Sequence, residues 1–183
     1  MTVLGMLAEE VGVSERTLRR AANEGTLRAW WRTPRRLEVP EAEKSYIRRS
    51  WPLLSDLRGA LRTEHNVRFA ALFGSAARGE EGPGSDIDLV VAMREDGLER
   101  LIALELRLEE TLGRPVDLTA FEEAEGRKEL LDEIVTEGRV VIDRDGRWPA
   151  LQARGPKLRR SVVRAERERA RAALAGIDRM LGR

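Results

Sequence analysis

The sequence lacks cysteine and long apolar runs, and it contains few aromatic residues. Without cysteine, the 183-residue chain can form neither a disulfide framework nor a thiolate metal site. No window approaches the 18 apolar residues of a membrane span, and the first seven residues lack the features of a signal peptide. The only histidine, His65, and the only tyrosine, Tyr46, belong to no recognisable motif. These absences favour a cytoplasmic protein without a membrane partner, long enough for one ordinary domain and a smaller one.

Charge is nearly balanced over the whole chain but is unevenly distributed along it. Residues 1–52 carry 10 basic and 7 acidic side chains (+3), residues 53–146 carry 12 and 22 (−10), and residues 147–183 carry 11 and 3 (+8). An acidic body between two basic ends indicates sections with different partners. We therefore predict three sections, with bounds at 1–50, 51–146 and 147–183.

The most informative stretch is a small-residue turn that is followed, ten residues later, by two carboxylates on an apolar strand. The turn is Gly74-Ser75, and the carboxylates are Asp86 and Asp88. Successive side chains of a strand alternate faces, so both aspartates lie on one face and their apolar neighbours point into the core. Two such charges repel by roughly 2–3 kcal/mol. Folding does not require this arrangement, whereas a pair of divalent cations does.

A third carboxylate lies on a later β-type segment, residues 115–120, where Asp117 faces away from Val116 and Leu118. If this strand lies beside the first, three carboxylates converge at the kind of site that binds two metal ions. The backbone N–H groups and the hydroxyl of the Gly74-Ser75 turn could hold phosphate oxygens. The pattern predicts metal-assisted chemistry on a nucleoside triphosphate. The alternative is that these aspartates are solvated charges at strand ends.

The Gly74–Gly79 turn (Gly-Ser-Ala-Ala-Arg-Gly), Asp86-x-Asp88 and a later strand aspartate resemble the nucleotidyltransferase superfamily that includes DNA polymerase β. The similarity is greatest to the minimal nucleotidyltransferase domains of prokaryotes and covers roughly residues 67–141. It implies a mixed-sheet fold that uses ATP and two Mg²⁺ ions. It also implies roles for six residues: Gly74, Ser75 and Arg78 would bind the nucleotide, Asp86 and Asp88 both metal ions, and Asp117 one metal ion and the acceptor hydroxyl's proton.

Many domains of this kind resemble the antitoxin half of toxin–antitoxin pairs. The resemblance therefore implies transfer of AMP from ATP to a tyrosine of a HEPN-domain toxin. Two alternatives stay open at this point. The chain could be a transcription regulator whose nucleotidyltransferase fold only senses nucleotide or binds a partner. It could also be an antibiotic-modifying nucleotidyltransferase, although the sequence offers no second domain to form the pocket for such a substrate.

The N-terminal section has the pattern of two short helices joined by a turn. Apolar residues repeat with helical spacing up to Val11, Gly12 supplies the turn, and Ser14 is a good N-cap for a helix that ends near Asn23. Two β-prone runs joined by a basic tip follow this second helix. The order resembles a MerR-type winged helix-turn-helix, which implies DNA binding as a homodimer. The candidate DNA-binding residues are Arg16, Arg19, Arg20, Arg32, Arg35 and Arg36.

The same N-terminal features also suit a protein-docking module with solvated arginines. We expect Trp30, Trp31 and Trp51 to pack in a core or between domains. Two separate helices are predicted next, one beginning at Pro40-Glu41 and one covering residues 51–64. The fold class expected for the whole chain is α+β or α/β: a winged helix-turn-helix, a mixed-sheet nucleotidyltransferase core and a C-terminal helix.

The C-terminal section is rich in arginine and compatible with a helix. Gly155-Pro156 predicts a break, after which residues 157–182 form the helix. Its interrupted apolar stripe predicts packing on its own domain or on a second copy of the chain. Docking to an acidic partner protein or to nucleic acid is the alternative.

Overall fold

The computed structural model describes residues 3–33, 36–82 and 84–180. Arg35 and the last three residues of the predicted C-terminal section lie outside these ranges. No helix in the described ranges is long and apolar enough to cross a membrane. The elements are α1 (Val3–Glu10), α2 (Glu15–Glu24), β1 (Trp30–Thr33), β2 (Arg36–Glu38), α3 (Glu41–Thr63), β3 (Val67–Leu72), α4 (Gly74–Arg78), β4 (Ile87–Met93), α5 (Leu98–Leu112), β5 (Val116–Ala120), α6 (Phe121–Gly126), α7 (Lys128–Glu137), β6 (Arg139–Asp143) and α8 (Arg147–Met180).

A four-stranded sheet forms the centre of the molecule, with the strand order β5-β4-β3-β6. Strand β3 pairs antiparallel with both of its neighbours, whereas β4 and β5 run parallel. Parallel strands need a crossover, which α5 supplies. Gly113 ends α5 with φ +64°, in the left-handed conformation of a C-cap. The predicted α+β class with a mixed sheet is therefore confirmed.

Helices cover both faces of the sheet, and β3 has apolar side chains on both of its faces. Ala70 and Leu72 belong to a core that also contains buried residues of α1, α2, α3 and α5. Phe69 and Ala71 point the other way, into a second core with α6, α7 and the start of α8. Because the first core extends from α1 to the sheet, the N-terminal section shares its interior with the sheet.

The N-terminal section consists of two helices, a two-stranded hairpin and the beginning of α3. The Ser14 hydroxyl accepts a hydrogen bond from the Thr17 N–H at 3.1 Å, which confirms the predicted N-cap of α2. Leu18 and Ala21 are fully buried, as expected from their helical spacing. The order of these elements is the one predicted from the sequence, and the winged helix-turn-helix stays a prediction.

One long helix, α3, replaces the two helices predicted before β3. Pro52 lies inside it and removes one backbone donor, but the buried face continues from Tyr46 to Leu61 without a change of phase. Packing along this face outweighs the cost of a single proline. The predicted boundary between residues 50 and 51 therefore falls in the middle of a continuous helix.

The predicted break at Gly155-Pro156 is wrong as well, because α8 runs through it from Arg147 to Met180. The absence of a side chain at Gly155 brings the α8 backbone close to α7. A Cβ there would lie 3.0 Å from Val135 Cγ1, so glycine permits a close helix contact instead of ending the helix. Gly155-Pro156 disfavours a helix locally, but the packing of α8 against α7 stabilises the continuous helix.

The prediction that three tryptophans pack in a core or between domains is confirmed for Trp51, which is buried, and is wrong for the other two. Trp30 and Trp31 are 54% and 43% exposed. Both lie on the two-stranded β1–β2 sheet, outside the four-stranded sheet. Their indole N–H groups donate to Glu38 and to Asn23 at the surface, each at 3.2 Å.

Candidate active site

The three predicted carboxylates meet at one end of the parallel strand pair. Asp88 of β4 and Asp117 of β5 are register partners, and parallel neighbours lie about 4.8 Å apart. Asp86 directly precedes β4, two residues before Asp88 and hence on the same face. The Ile87 N–H donates to the Pro115 carbonyl at 2.9 Å and so ties the two strand ends together.

The alternation of side chains explains why these aspartates point away from the first core. Ile87, Leu89, Val116 and Leu118 are all buried in it, on the other face of the same strands. A register shift of one residue would bury the carboxylates and expose these four apolar side chains, so burial fixes the orientation of the acidic group. Asp86 and Asp117 are exposed, whereas Asp88 is partly buried.

The Gly74-Ser75 turn is the first turn of α4 and lies against Asp88. Gly74 has φ +66°, and a Cβ there would overlap the Asp88 carboxylate. The Phe73 N–H donates to the Asp88 backbone carbonyl at 3.0 Å, which holds the turn beside β4. Both the backbone conformation and the close approach require glycine at position 74. The turn and the central carboxylate therefore form a single site.

The electrostatic environment of Asp88 disfavours its charged form. The pKa of Asp88 lies above its usual value, first because burial removes water from the carboxylate and then because Asp117, Asp86 and Glu133 are nearby negative charges. Arg78 acts in the opposite direction. A cation bound among these groups would relieve the repulsion.

The donor set suits a hard divalent cation such as Mg²⁺, because all three side chains offer carboxylate oxygens. In the described part of the chain, no three His, Cys, Asp or Glu side chains are grouped closely enough to hold a metal ion as they stand. Three observations therefore support Mg²⁺ binding by these aspartates: their carboxylate oxygens, their shared face and register, and the raised pKa of Asp88.

Arg78, the third predicted nucleotide-binding residue, is bound to carboxylates in this structure. Its guanidinium donates to Glu80 at 2.7 Å, to Glu137 at 2.9 Å and to Glu133 at 3.2 Å, and the hydrogen bonds raise its pKa. A triphosphate would have to compete with these three glutamates. Its proposed role in nucleotide binding stays a prediction.

Several residues close to the site were missed in the sequence. Glu133 of α7 acts on the pKa of Asp88, but its spacing from the aspartates carries no signal. Glu43 and Arg139 form a buried ion pair, with Arg139 2% exposed. The sequence does hint at the arginine, because Arg139 directly precedes three apolar strand residues, 140–142, and a buried charge there needs a partner.

The candidate DNA-binding arginines lie on the surface of the N-terminal section, and most of them pair with glutamates. Arg19 contacts Glu15 at 2.5 Å, Arg20 contacts Glu24 at 2.6 Å, and Glu38 binds both Arg32 at 3.0 Å and Arg36 at 3.5 Å. The Arg19 guanidinium also lies 5.5 Å from the centre of the Trp31 ring. Arg16 is exposed and forms no ion pair within the described residues. Positive side chains are thus concentrated on the surface of the N-terminal section, but nearby glutamates compensate most of their charge.

Comparison with known proteins agrees with this geometry. Residues 56–147, half of the chain, match the family model of polymerase beta nucleotidyltransferases. A putative protein adenylyltransferase of Methanocaldococcus jannaschii is 42% identical over 59 residues, which cover 32% of this chain and 63% of that protein. The chain thus spans less than two thirds of the length of this relative.

Solved structures with a similar fold come from toxin–antitoxin complexes. One is a toxin–antitoxin complex with AMP-PNP, with 21% sequence identity, a TM-score of 0.53, and coverage of 67% of this chain and 98% of that chain. Another is a tri-AMPylated Shewanella oneidensis HEPN toxin in complex with an MNT antitoxin, with 19% identity, a TM-score of 0.51, and coverage of 69% and 98%. At these identities the likeness shows a shared fold.

Proposed function

The chain belongs to the polymerase beta nucleotidyltransferase family, and we propose that it transfers AMP from ATP to a hydroxyl group of an acceptor. The observation that carries this proposal is the group of three carboxylates at the end of β4 and β5, in contact with the Gly74-Ser75 turn. Like charges at this spacing destabilise the folded chain, whereas a metal–nucleotide complex would compensate them.

In the proposed reaction, the acceptor oxygen attacks the α-phosphorus, the bond to the β-phosphate breaks, and pyrophosphate leaves. Asp86 and Asp88 would hold two Mg²⁺ ions, which lower the pKa of a bound hydroxyl and offset charge on the leaving pyrophosphate. Asp117 would contribute to one metal position and take the proton of the acceptor hydroxyl. The backbone N–H groups of the turn and the Ser75 hydroxyl would orient the triphosphate, with Arg78 available if it leaves its glutamates.

We further propose that the acceptor is a tyrosine of a HEPN-type toxin and that the chain acts as its antitoxin. Two findings support this choice over a small-molecule acceptor. The M. jannaschii relative is named a putative protein adenylyltransferase, and the similar structures are antitoxins in complex with toxins, one of them AMPylated. We take the cytoplasm, where ATP is available, as the site of action.

A transfer assay tests the proposed function. The purified chain is incubated with α-labelled ATP, Mg²⁺ and a HEPN-domain toxin as candidate acceptor, and label on the toxin is measured. We expect transfer by the wild type and by Asp96→Asn, an exposed aspartate beyond β4 that serves as a control. Asp86→Asn and Asp88→Asn should each lose roughly 10²-fold or more of the rate, the scale of removing one preorganised charge-stabilising group. Undiminished transfer by both variants would refute the assignment, and labelling of an aminoglycoside instead of the toxin would redirect it.

We also propose that residues 1–50 bind DNA as a dimer and regulate the chain's own promoter, beside a catalytic section at 51–146 and a basic C-terminal helix at 147–183. The order α1, turn, α2, hairpin supports this, together with the exposed Arg16 and Arg20 on α2. A regulator without catalysis is the competing hypothesis, and label transfer would exclude it. Binding to the chain's own promoter, compared with random DNA, tests the regulatory role separately from catalysis.

A further inference from the structure

A buried arginine joins three separate parts of the chain next to the candidate site. Arg139 Nε donates to the Ala77 carbonyl near the end of α4 at 2.7 Å. Its two terminal nitrogens donate to the Glu43 carboxylate of α3 at 2.6 and 3.0 Å, and one of them also donates to the Thr26 carbonyl at 3.3 Å. The guanidinium lies 3.3 Å from the centre of the Tyr46 ring.

Neighbouring residues of α3 hold the same end of α4. The Tyr46 hydroxyl donates to the Ala76 carbonyl at 3.2 Å, and Arg49 donates to the Gly79 carbonyl. The last carbonyls of a helix lack partners within it, and cations at that end are favourable. All these anchors on the end of α4 come from outside the β3–α4–β4 segment.

The ion pair is also tied to the N-terminal section. The Arg28 N–H donates to Glu43 Oε1 at 2.9 Å, and the Thr26 hydroxyl donates to the Val140 carbonyl at 2.6 Å. The Val140 N–H donates to the Gly25 carbonyl at 3.2 Å. The chain that follows α2 is therefore bonded to β6, which carries the arginine that anchors α4.

A role in stability alone does not account for this pair. Removing two charges from water is expensive, and well-packed apolar residues of similar volume often stabilise a protein as much. A helix of five residues such as α4 cannot maintain its own conformation, because the first turn costs more entropy than one hydrogen bond returns. Fixed hydrogen bonds to its carbonyls specify where Gly74 and Ser75 lie, which apolar contacts would not do.

We propose that Arg139 and Glu43 are positioning residues that hold the nucleotide-binding turn in place, so that the N-terminal section takes part in ATP binding. This inference rests on the proposed function, because it assigns a task to the turn that the proposed reaction uses. It goes further by making the affinity for nucleotide depend on Thr26 and Arg28, which lie far from the carboxylates along the sequence.

The test compares two arginines at opposite ends of β6: Arg139 is its first residue, and Arg144 follows its last one. Arg139→Lys keeps the charge but cannot serve Glu43 and the Ala77 carbonyl together. Arg144→Lys is the matched control, because Arg144 follows β6 and donates to the carbonyls of Leu61 and Arg62, at the other end of α3. We measure the Kd for MgATP in the full-length chain, the KM for ATP, the KM for the acceptor, kcat and Tm.

We expect Arg139→Lys to raise the Kd and the KM for ATP about tenfold and to leave the KM for the acceptor unchanged. Arg144→Lys should lower Tm and leave both ATP constants within a factor of two. A loss of folded protein would lower kcat without raising the Kd for ATP, so the binding constant separates positioning from stability. Equal Kd values for the two variants would overturn the inference.

Tyr46→Phe decides the matter if Arg139→Lys does not fold. It removes only the hydroxyl that binds the Ala76 carbonyl and keeps the ring beside Arg139. We expect a two- to fivefold rise in the Kd for MgATP, and an unchanged Kd would overturn the inference. ATP binding is measured without acceptor, so the two proposals can fail separately. A wild type that binds MgATP but labels no toxin would refute the proposed acceptor. The Kd values of the variants would still decide the inference about Arg139 and Glu43.

Discussion

Two charged regions of this molecule are built in opposite ways. At the ends of β4 and β5, Asp88 lies beside further carboxylates, and burial and these neighbours raise its pKa. In the N-terminal section, most of the described candidate arginines are paired with a glutamate at 2.5–3.5 Å. The comparison shows that the negative charge of the carboxylates is left for a bound cation to compensate, whereas most of the arginines already have a compensating charge within the protein.

The difference also sets what binding would cost in each region. A cation that enters the carboxylate site relieves repulsion, and binding there needs no ion pair to break. DNA that approaches the arginines must displace glutamates, although exposed ion pairs of this kind are worth only about 0–1 kcal/mol each. We therefore expect the carboxylate site to show the larger effects when the two regions are perturbed.

Gly74→Ala should have the largest effect, because it strains the backbone and disturbs the carboxylate site together. A side chain at φ +66° costs about 1–3 kcal/mol, and its Cβ would displace the Asp88 carboxylate. Gly113→Ala is the control, because its φ of +64° carries the same strain with no atom within 4 Å of the added Cβ. Both variants should lose unfolding free energy in urea, Gly74→Ala at least as much as Gly113→Ala, and only Gly74→Ala should lose tenfold or more of the transfer rate. Equal rates would show that contact between turn and carboxylate is unimportant.

The arginines test the other side of the comparison. Arg16, which forms no ion pair within the described residues, should contribute more to DNA binding than Arg20, which pairs with Glu24. If Arg16 reads a base, Arg16→Gln should weaken binding to the cognate site by about 1–3 kcal/mol and affect random DNA little. Arg32→Gln, on the hairpin, should weaken all sequences alike and lower the log–log salt slope by about 0.9.

Fluorescence anisotropy on the chain's own promoter, measured across salt concentrations, distinguishes these outcomes. The target should contain two half-sites about 10 base pairs apart or a multiple of that distance. A wild type that binds the promoter and random DNA equally at physiological salt would make the N-terminal section a docking module for protein instead.

Mg²⁺ should stabilise the wild-type chain measurably. A ligand that binds only the folded state adds about 1.4 kcal/mol at ten times its Kd, which corresponds to a Tm increase of about 3–6 °C for a chain of this length. The increase should disappear in Asp86→Asn/Asp88→Asn and persist in Asp96→Asn, as measured by calorimetry. The same Mg²⁺ response in the double variant would place the ions elsewhere.

The smallest effect expected is on stability as a function of pH in the absence of divalent cations. Because the folded pKa of Asp88 lies above 3.8, ionisation of this group favours the unfolded chain. Its contribution to the unfolding free energy should therefore fall as the pH rises from about 4 through the folded pKa. Asp88→Asn lacks this fall, so the Tm of the variant minus that of the wild type should grow between pH 4 and pH 7. A constant difference would contradict the raised pKa.

Features fixed by a few neighbouring residues could be predicted from the sequence. Ser14 caps its helix as expected, because an N-cap depends on one side chain and the backbone next to it. The aspartates share a face because alternation along a strand is a local property. The proximity of Asp117 to Asp88 is different, since it depends on which strands pair. The β-type segment around Asp117 made this proximity a conditional prediction, and the resemblance to a known family supported it.

Features that depend on distant packing could not be predicted. The helices α3 and α8 continue past Pro52 and Gly155-Pro156 because buried faces outweigh a local break. The exposure of Trp30 and Trp31 could not be predicted, because nothing in their own sequence shows that the hairpin stays uncovered. The pairing of Glu43 with Arg139 joins residues 96 positions apart, beyond the reach of any spacing rule.

The 23-residue helix α3 fixes the rotational phase between the N-terminal section and the sheet. Each residue of a helix adds about 1.5 Å of length and about 100° of rotation. Deleting a single residue near Ser55 or Asp56, both exposed, would swing Glu43 away from Arg139 and Tyr46 away from α4. The side chains at such exposed positions can be exchanged without disturbing either core, whereas a change in the number of residues between the two halves of the protein would break these contacts.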